Sequence, residues 1–133
     1  LQRVCTYDAR IIFVVGHESN VLGVPFYNSK IISELSTQSN LFELNLTQKR
    51  IFKNKFGKVV REDLLNLSNK NSSLSVEDTE EIARNIARKV MNDGLAIVSE
   101  QNKPALMEAI EKIPNLSKSP LYNRQTKNYY QKA

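Results

Sequence analysis

The one histidine of the chain, His17, stands directly after the apolar run RIIFVVG (10–16) and directly before Glu18, in the pentapeptide GHESN. Imidazole exchanges protons near neutral pH, and a neighbouring carboxylate can orient it or share the proton transfer, so His17 and Glu18 are the candidate acid-base pair. Adjacent side chains on an extended strand point to opposite sides. The two converge only if GHESN is a turn, and a polar hairpin turn is the plainer reading of those residues.

The second group of candidates is cationic. TQKRIFKNKFGKVVR (47–61) carries Lys49, Arg50, Lys53, Lys55, Lys58 and Arg61 without a carboxylate. After Glu111 the chain again has no acid, and Arg124, Lys127 and Lys132 are interleaved with Tyr122, Tyr129 and Tyr130. Cations reach phosphate oxygens and aromatic rings stack on bases, so these two segments supply the candidate nucleic-acid contacts. A solvated helix face rich in lysine is the competing explanation of 47–61. The polyanion reading requires the two segments to share one surface that Glu62, Asp63 and Glu111 do not neutralise.

Other chemistries find little support. One His and one Cys, with no HExxH and no acidic calcium-loop spacing, give no expected metal site. Gly16, Gly23, Gly57 and Gly94 are too dispersed to cradle a phosphate, so no cofactor is expected. Cys5 lies in no motif and reads as an incidental thiol; alone, it excludes an internal disulfide and is compatible with a reducing compartment. IIFVV (11–15), the longest wholly apolar run, is far shorter than the roughly 20 residues of a transmembrane helix. The chain opens on Leu1, which suggests a domain excised from a longer protein or a processed product.

The elements that must position these residues follow from length and periodicity. With 133 residues, 41% of them apolar and 25% charged, one domain with a buried core is expected. The net charge of +5 is local: residues 1–74 carry ten cations against six anions, and 75–133 nine against eight. RIIFVVG (10–16) and VLGVPFY (21–27) read as an N-terminal β-hairpin, with Pro25 confining the second strand to an edge. NSKIISELSTQS predicts a first helix capped by Asn28 or Ser29. LFELNL (41–46) fits either a short strand or the lead-in to a helix.

From Thr47 onward, Ile51, Phe52 and Phe56 share one side of a helical wheel, and Gly57 breaks the pattern, which predicts two short helices at 47–56 and 59–68. LTQKRIFKNKFG also has the outline of a helix-turn-helix opening. Phe52 occupies its small-residue position and Gly57 falls one residue late, so no such unit is expected. Ser75 and Asp78 fit a capping box for VEDTEEIARNIARKVM, whose stripe of Ile82, Ala83, Ile86, Ala87, Val90 and Met91 is the clearest helix; Asn92 to Gly94 stop it. LAIVSE (95–100) fits a strand or a helical turn. KPALMEAIEKI predicts a last helix burying Leu106, Ile110 and Ile113.

The expected fold is therefore α+β, predominantly helical with an N-terminal β-hairpin, as a compact domain over 1–113 and a basic, tyrosine-containing tail over 114–133. The expected function is nucleic-acid binding, to RNA or DNA, as part of a larger protein. A nuclease-type toxin or effector domain using His17 and Glu18 is the enzymatic alternative, and a protein-interaction domain for an acidic partner is the third.

Overall fold

A period of two, and not of 3.6, governs the middle of the chain. A computed structural model describes residues 1–72 and 76–116. In chain order the elements are β1 (Arg10–Gly16), β2 (Glu18–Val21), β3 (Val24–Tyr27), α1 (Asn28–Gln38), β4 (Phe42–Lys53), β5 (Val59–Asn69), α2 (Val76–Gly94) and α3 (Lys103–Lys112). Single 3-10 turns at Gln2–Val4 and Ile113–Asn115 flank them. Helix and strand are nearly balanced, at 39% and 35%, so the expectation of a predominantly helical fold is wrong.

The error lies in the helices expected at 47–56 and 59–68: 47–53 and 59–68 are strands, and 54–56 belong to the loop between them. Ile51, Phe52, Val59 and Val60 are β-branched or aromatic, types that suit a pleated surface. Asp63, Leu65 and Leu67 are buried at alternate positions, the signature of one covered sheet face. Gly57 does interrupt the pattern, but as the left-handed residue (φ 74°) of a tight hairpin loop. Asn54 closes that loop: its side-chain oxygen accepts from the backbone N–H groups of Phe56 (2.9 Å) and Lys58 (3.0 Å). LFELNL is the start of β4, whose Asn45 bulges out of register between Leu44 and Leu46.

The three-stranded antiparallel sheet has the order β1-β5-β4, pairing Phe13 with Leu65 and Lys49 with Asp63. β1 stops pairing at Gly16 opposite Glu62, while β4 and β5 run on as a two-stranded ribbon to Lys53 opposite Val59. β1 is not part of the N-terminal hairpin: that hairpin is β2–β3, and GHESN is not its turn. The turn is Leu22–Gly23, with both residues at positive φ (56° and 78°). Pro25 sits in a two-stranded sheet, where either strand is an edge.

α1 lies between the sheet and α2, facing β1, β4 and β5 on one side. Leu65, Leu67 and Phe42 are buried on the sheet. A second cluster joins Val24, Val98 and Leu106 with Phe26, Met91, Leu95 and Ile110, tying the hairpin to α2 and α3. The stripe read on α2 faces inward, with Ile86 buried, and α3 with its following turn buries Leu106 and Ile113. Gly94 does not end α2 through a left-handed conformation. It is the last helical residue, and a Cβ there would lie 3.3 Å from Val24 and 3.5 Å from Leu106, so the lack of a side chain permits close packing. LAIVSE forms turns that bury Val98. The capping box expected at Ser75 and the tail from residue 117 lie outside the described residues. Among the described residues no helix is long and apolar enough to cross a membrane.

Leu22 occupies the left-handed region, which costs a non-glycine residue about 1–2 kcal/mol and which Asn tolerates. Leu22→Asn is expected to raise the unfolding free energy by about 1 kcal/mol, read as a higher urea midpoint. A lowered midpoint would show that the apolar contacts of Leu22 outweigh its backbone cost.

Candidate functional site

β5 places a carboxylate where its pattern calls for an apolar side chain. Asp63 has the same parity as Leu65 and Leu67 and is only 2% exposed. Burying a carboxylate is costly unless hydrogen bonds and opposite charge compensate. Two side chains converge on its Oδ2: the Ser29 hydroxyl donates at 2.7 Å and His17 Nδ1 lies at 2.9 Å. The Ser29 bond, then the hydrogen bond and charge of His17, and last the charge of Lys49 hold the Asp63 carboxyl below the ordinary carboxylate value of 3.8 against the opposing effect of burial.

Local structure fixes each partner. The His17 N–H donates to Arg61 O at 3.0 Å, extending the β1–β5 ladder by one residue, and His17 O accepts from the N–H of Asn28 at 3.2 Å. The histidine is thus clamped between β5 and the start of α1, with Tyr27 edge-on to its ring at 5.5 Å between centroids. Asn28 and Ser29 do not cap α1, whose N-terminus has no side-chain cap. Asn28 Nδ2 donates instead to Gly16 O (3.0 Å) and Ser19 Oγ (3.0 Å), and Ser29 turns to Asp63. The polar residues that announce the helix are used by the site.

An ionised carboxylate only accepts, so His17 Nδ1 carries the proton, and in the neutral form of the ring Nε2 is the unprotonated nitrogen. Nε2 has no hydrogen-bond partner among the described residues, and the side chain remains 34% exposed. A cavity of about 150 Å³ lies beside it, lined by His17, Lys49, Arg50, Arg61, Glu62 and Asp63 with Ile51. Ser29 gives its proton to Asp63 and not to His17, so it is not an activated nucleophile. Among the described residues no three His, Cys, Asp or Glu side chains group to hold a metal ion.

The candidates named from sequence are therefore partly brought together. His17 meets Lys49, Arg50 and Arg61, but its carboxylate partner is Asp63 and not Glu18. Glu18 is exposed on β2, opposite Tyr27, and makes no hydrogen bond or ion pair among the described residues. Lys53 lies further along β4, and Lys55 and Lys58 stand in the ribbon turn. Glu62 pairs with Arg50 (Nε to Oε2, 3.3 Å), while Lys53, Lys55, Lys58 and Arg61 pair with no carboxylate among the described residues. Tyr122, Arg124, Lys127, Tyr129 and Tyr130 lie outside the described residues. Asp63, Ser29 and Tyr27 were missed; the signal for Asp63 was a charge in the apolar phase of a strand. Compared with protein-family models, curated proteins and solved structures, the chain finds no match in any of the three.

Because the folded state lowers the Asp63 value, its contribution to stability is complete above the unfolded value of about 3.9 and is lost as pH falls through the lower folded value. Asp63→Asn is expected to cost about 2 kcal/mol at neutral pH, and the gap to wild type should close as the buffer is taken below about pH 4. Urea titrations across that range measure it; a gap independent of pH would show that the ionised carboxylate is not what Asp63 contributes.

Proposed function

We propose that the chain binds nucleic acid through the β4–β5 ribbon. The observation that carries this is the ribbon's composition beyond the end of β1. Lys53, Lys55, Lys58 and Arg61 are exposed and pair with no carboxylate among the described residues, and Phe56 at the tip is 82% exposed. Over 47–63 the six cations face two acids, a net +4. Clustered positive charge supplies the sequence-independent attraction to phosphate.

The aromatic residues set this ribbon apart from a merely soluble edge. Ile51 is 66% exposed beside Lys49 and Lys53, and the Lys55 ammonium sits 5.1 Å from the Phe56 ring centroid. Arg50 lies over the Phe52 ring at 4.6 Å. A cation held beside an aromatic face offers a phosphate contact and a stacking surface together, the combination suited to single-stranded nucleic acid. The composition of Tyr122, Arg124, Lys127, Tyr129 and Tyr130 supports the same reading from sequence.

Fluorescence anisotropy with a labelled single-stranded oligonucleotide is expected to give binding whose logarithm falls linearly with the logarithm of salt concentration. Replacing Lys53, Lys55 and Lys58 together by Gln should flatten that slope by about 2, from about 0.7 per lost phosphate contact. Phe56→Ala should weaken binding by about 1–3 kcal/mol and leave the slope unchanged. Binding that is absent, or indifferent to salt, removes the proposal.

A further inference from the structure

We propose that the His17–Asp63 pair at the base of the ribbon cleaves RNA, with His17 Nε2 as the general base that takes the proton of a ribose 2′-hydroxyl. This rests on the nucleic-acid reading of the ribbon. The geometry adds to it a reactive group beside the bound strand.

Several observations converge on that chemistry. His17 is held on its Nδ1 side by the buried Asp63 carboxylate, which leaves Nε2 as the ring nitrogen with no hydrogen-bond partner among the described residues, on a side chain that is 34% exposed. Asp63 is the positioning group and His17 the catalytic one. Lys49 and Arg61 lie on the Asp63 face of the ribbon, Lys49 directly opposite Asp63 and Arg61 two residues along β5. Both line the cavity that His17 lines. Cations there stabilise the charge that builds on a phosphoryl group in the transition state.

The step is an internal transesterification. As His17 Nε2 removes the proton, the 2′-oxygen attacks phosphorus; the 2′-oxygen–phosphorus bond forms and the phosphorus–5′-oxygen bond breaks. The leaving 5′-oxygen carries away the electron pair and takes a proton from water. His17 gives its proton to the hydroxide so formed and returns to its starting state. The products are a 2′,3′-cyclic phosphate and a 5′-hydroxyl, with no change in oxidation state. DNA lacks the nucleophile and is bound without being cut.

The test uses three labelled oligonucleotides of one sequence with the purified chain: RNA, the 2′-O-methyl form, and DNA carrying a single ribonucleotide. The RNA is expected to be cut to fragments ending in cyclic phosphate, identified by mass. The DNA should be cut only on the 3′ side of its one ribose, and the 2′-O-methyl form should be bound but intact. His17→Asn keeps an amide donor for Asp63 while removing the base. It should lower the cleavage rate by roughly 100-fold or more, with affinity for the 2′-O-methyl form unchanged and the native fold retained by circular dichroism. Binding of the 2′-O-methyl form without cleavage of RNA overturns this inference and leaves the binding proposal standing; no binding of any oligonucleotide overturns both. Cleavage that persists in His17→Asn, or fragments that lack the cyclic phosphate, assigns the activity to something other than this site and overturns the inference as well.

Discussion

The buried carboxylate of Asp63 is the constraint around which the N-terminal half of the molecule is arranged. An ion at 2% exposure is tolerated only if the chain brings it donors and positive charge. Those come from three places remote in sequence: Ser29 from the first turn of α1, His17 from the junction of β1 and β2, and Lys49 from the neighbouring strand. Satisfying one group thus docks α1 against β5, ends β1 at a defined residue, and sets the orientation of an imidazole. The uncapped start of α1 follows from the same demand, because its two polar residues are directed at Asp63 and at the end of β1.

The ribbon answers a different constraint. β4 is an edge strand, and its free backbone groups would invite pairing with another chain unless something discourages it. Lysine on an edge serves that purpose, and Lys49 and Lys53 alone would need no further explanation. Ile51 within β4 and Phe56 at the tip argue against solubility as the whole account, since large exposed apolar residues on an edge ribbon work against it. A surface that is both cationic and partly aromatic is better suited to a partner that is anionic and stackable.

How much of this the sequence discloses depends on whether the informative contact is local. α1, α2 and α3 are legible because each has an apolar stripe at helical spacing within its own residues. β1 is legible as a strand from its run of β-branched residues, but its partner is not, because β5 begins more than forty residues later. Residues 47–68 mislead because Ile51, Phe52 and Phe56 also fit a wheel, while Asn54 and Gly57 make a hairpin loop that resembles a helix break. Reading those residues as helix hides the one anomaly that points to the site. On a strand, Asp63 is a charge in register with Leu65 and Leu67; on a helix, it is one more polar residue. The pairing of His17 with Glu18 fails for the complementary reason: adjacency in sequence separates side chains on extended chain, and the partner that meets the imidazole is 46 residues away.

The charges around the cavity bear on the proposal that His17 does more than satisfy a buried acid. Lys49, Arg50 and Arg61 face Glu62 and Asp63, so the lining carries a net +1 while His17 is neutral. Here the surplus is positive and rises to +2 when His17 takes a proton. That gain coincides with the step in which an attacked phosphodiester acquires its extra negative charge. In the cleavage proposed above, the lining would complement the transition state better than the bound phosphodiester, and only an interaction that strengthens along the reaction accelerates it. Arg50 is largely engaged by Glu62, which leaves Lys49 and Arg61 on the Asp63 face as the cations able to follow the developing charge.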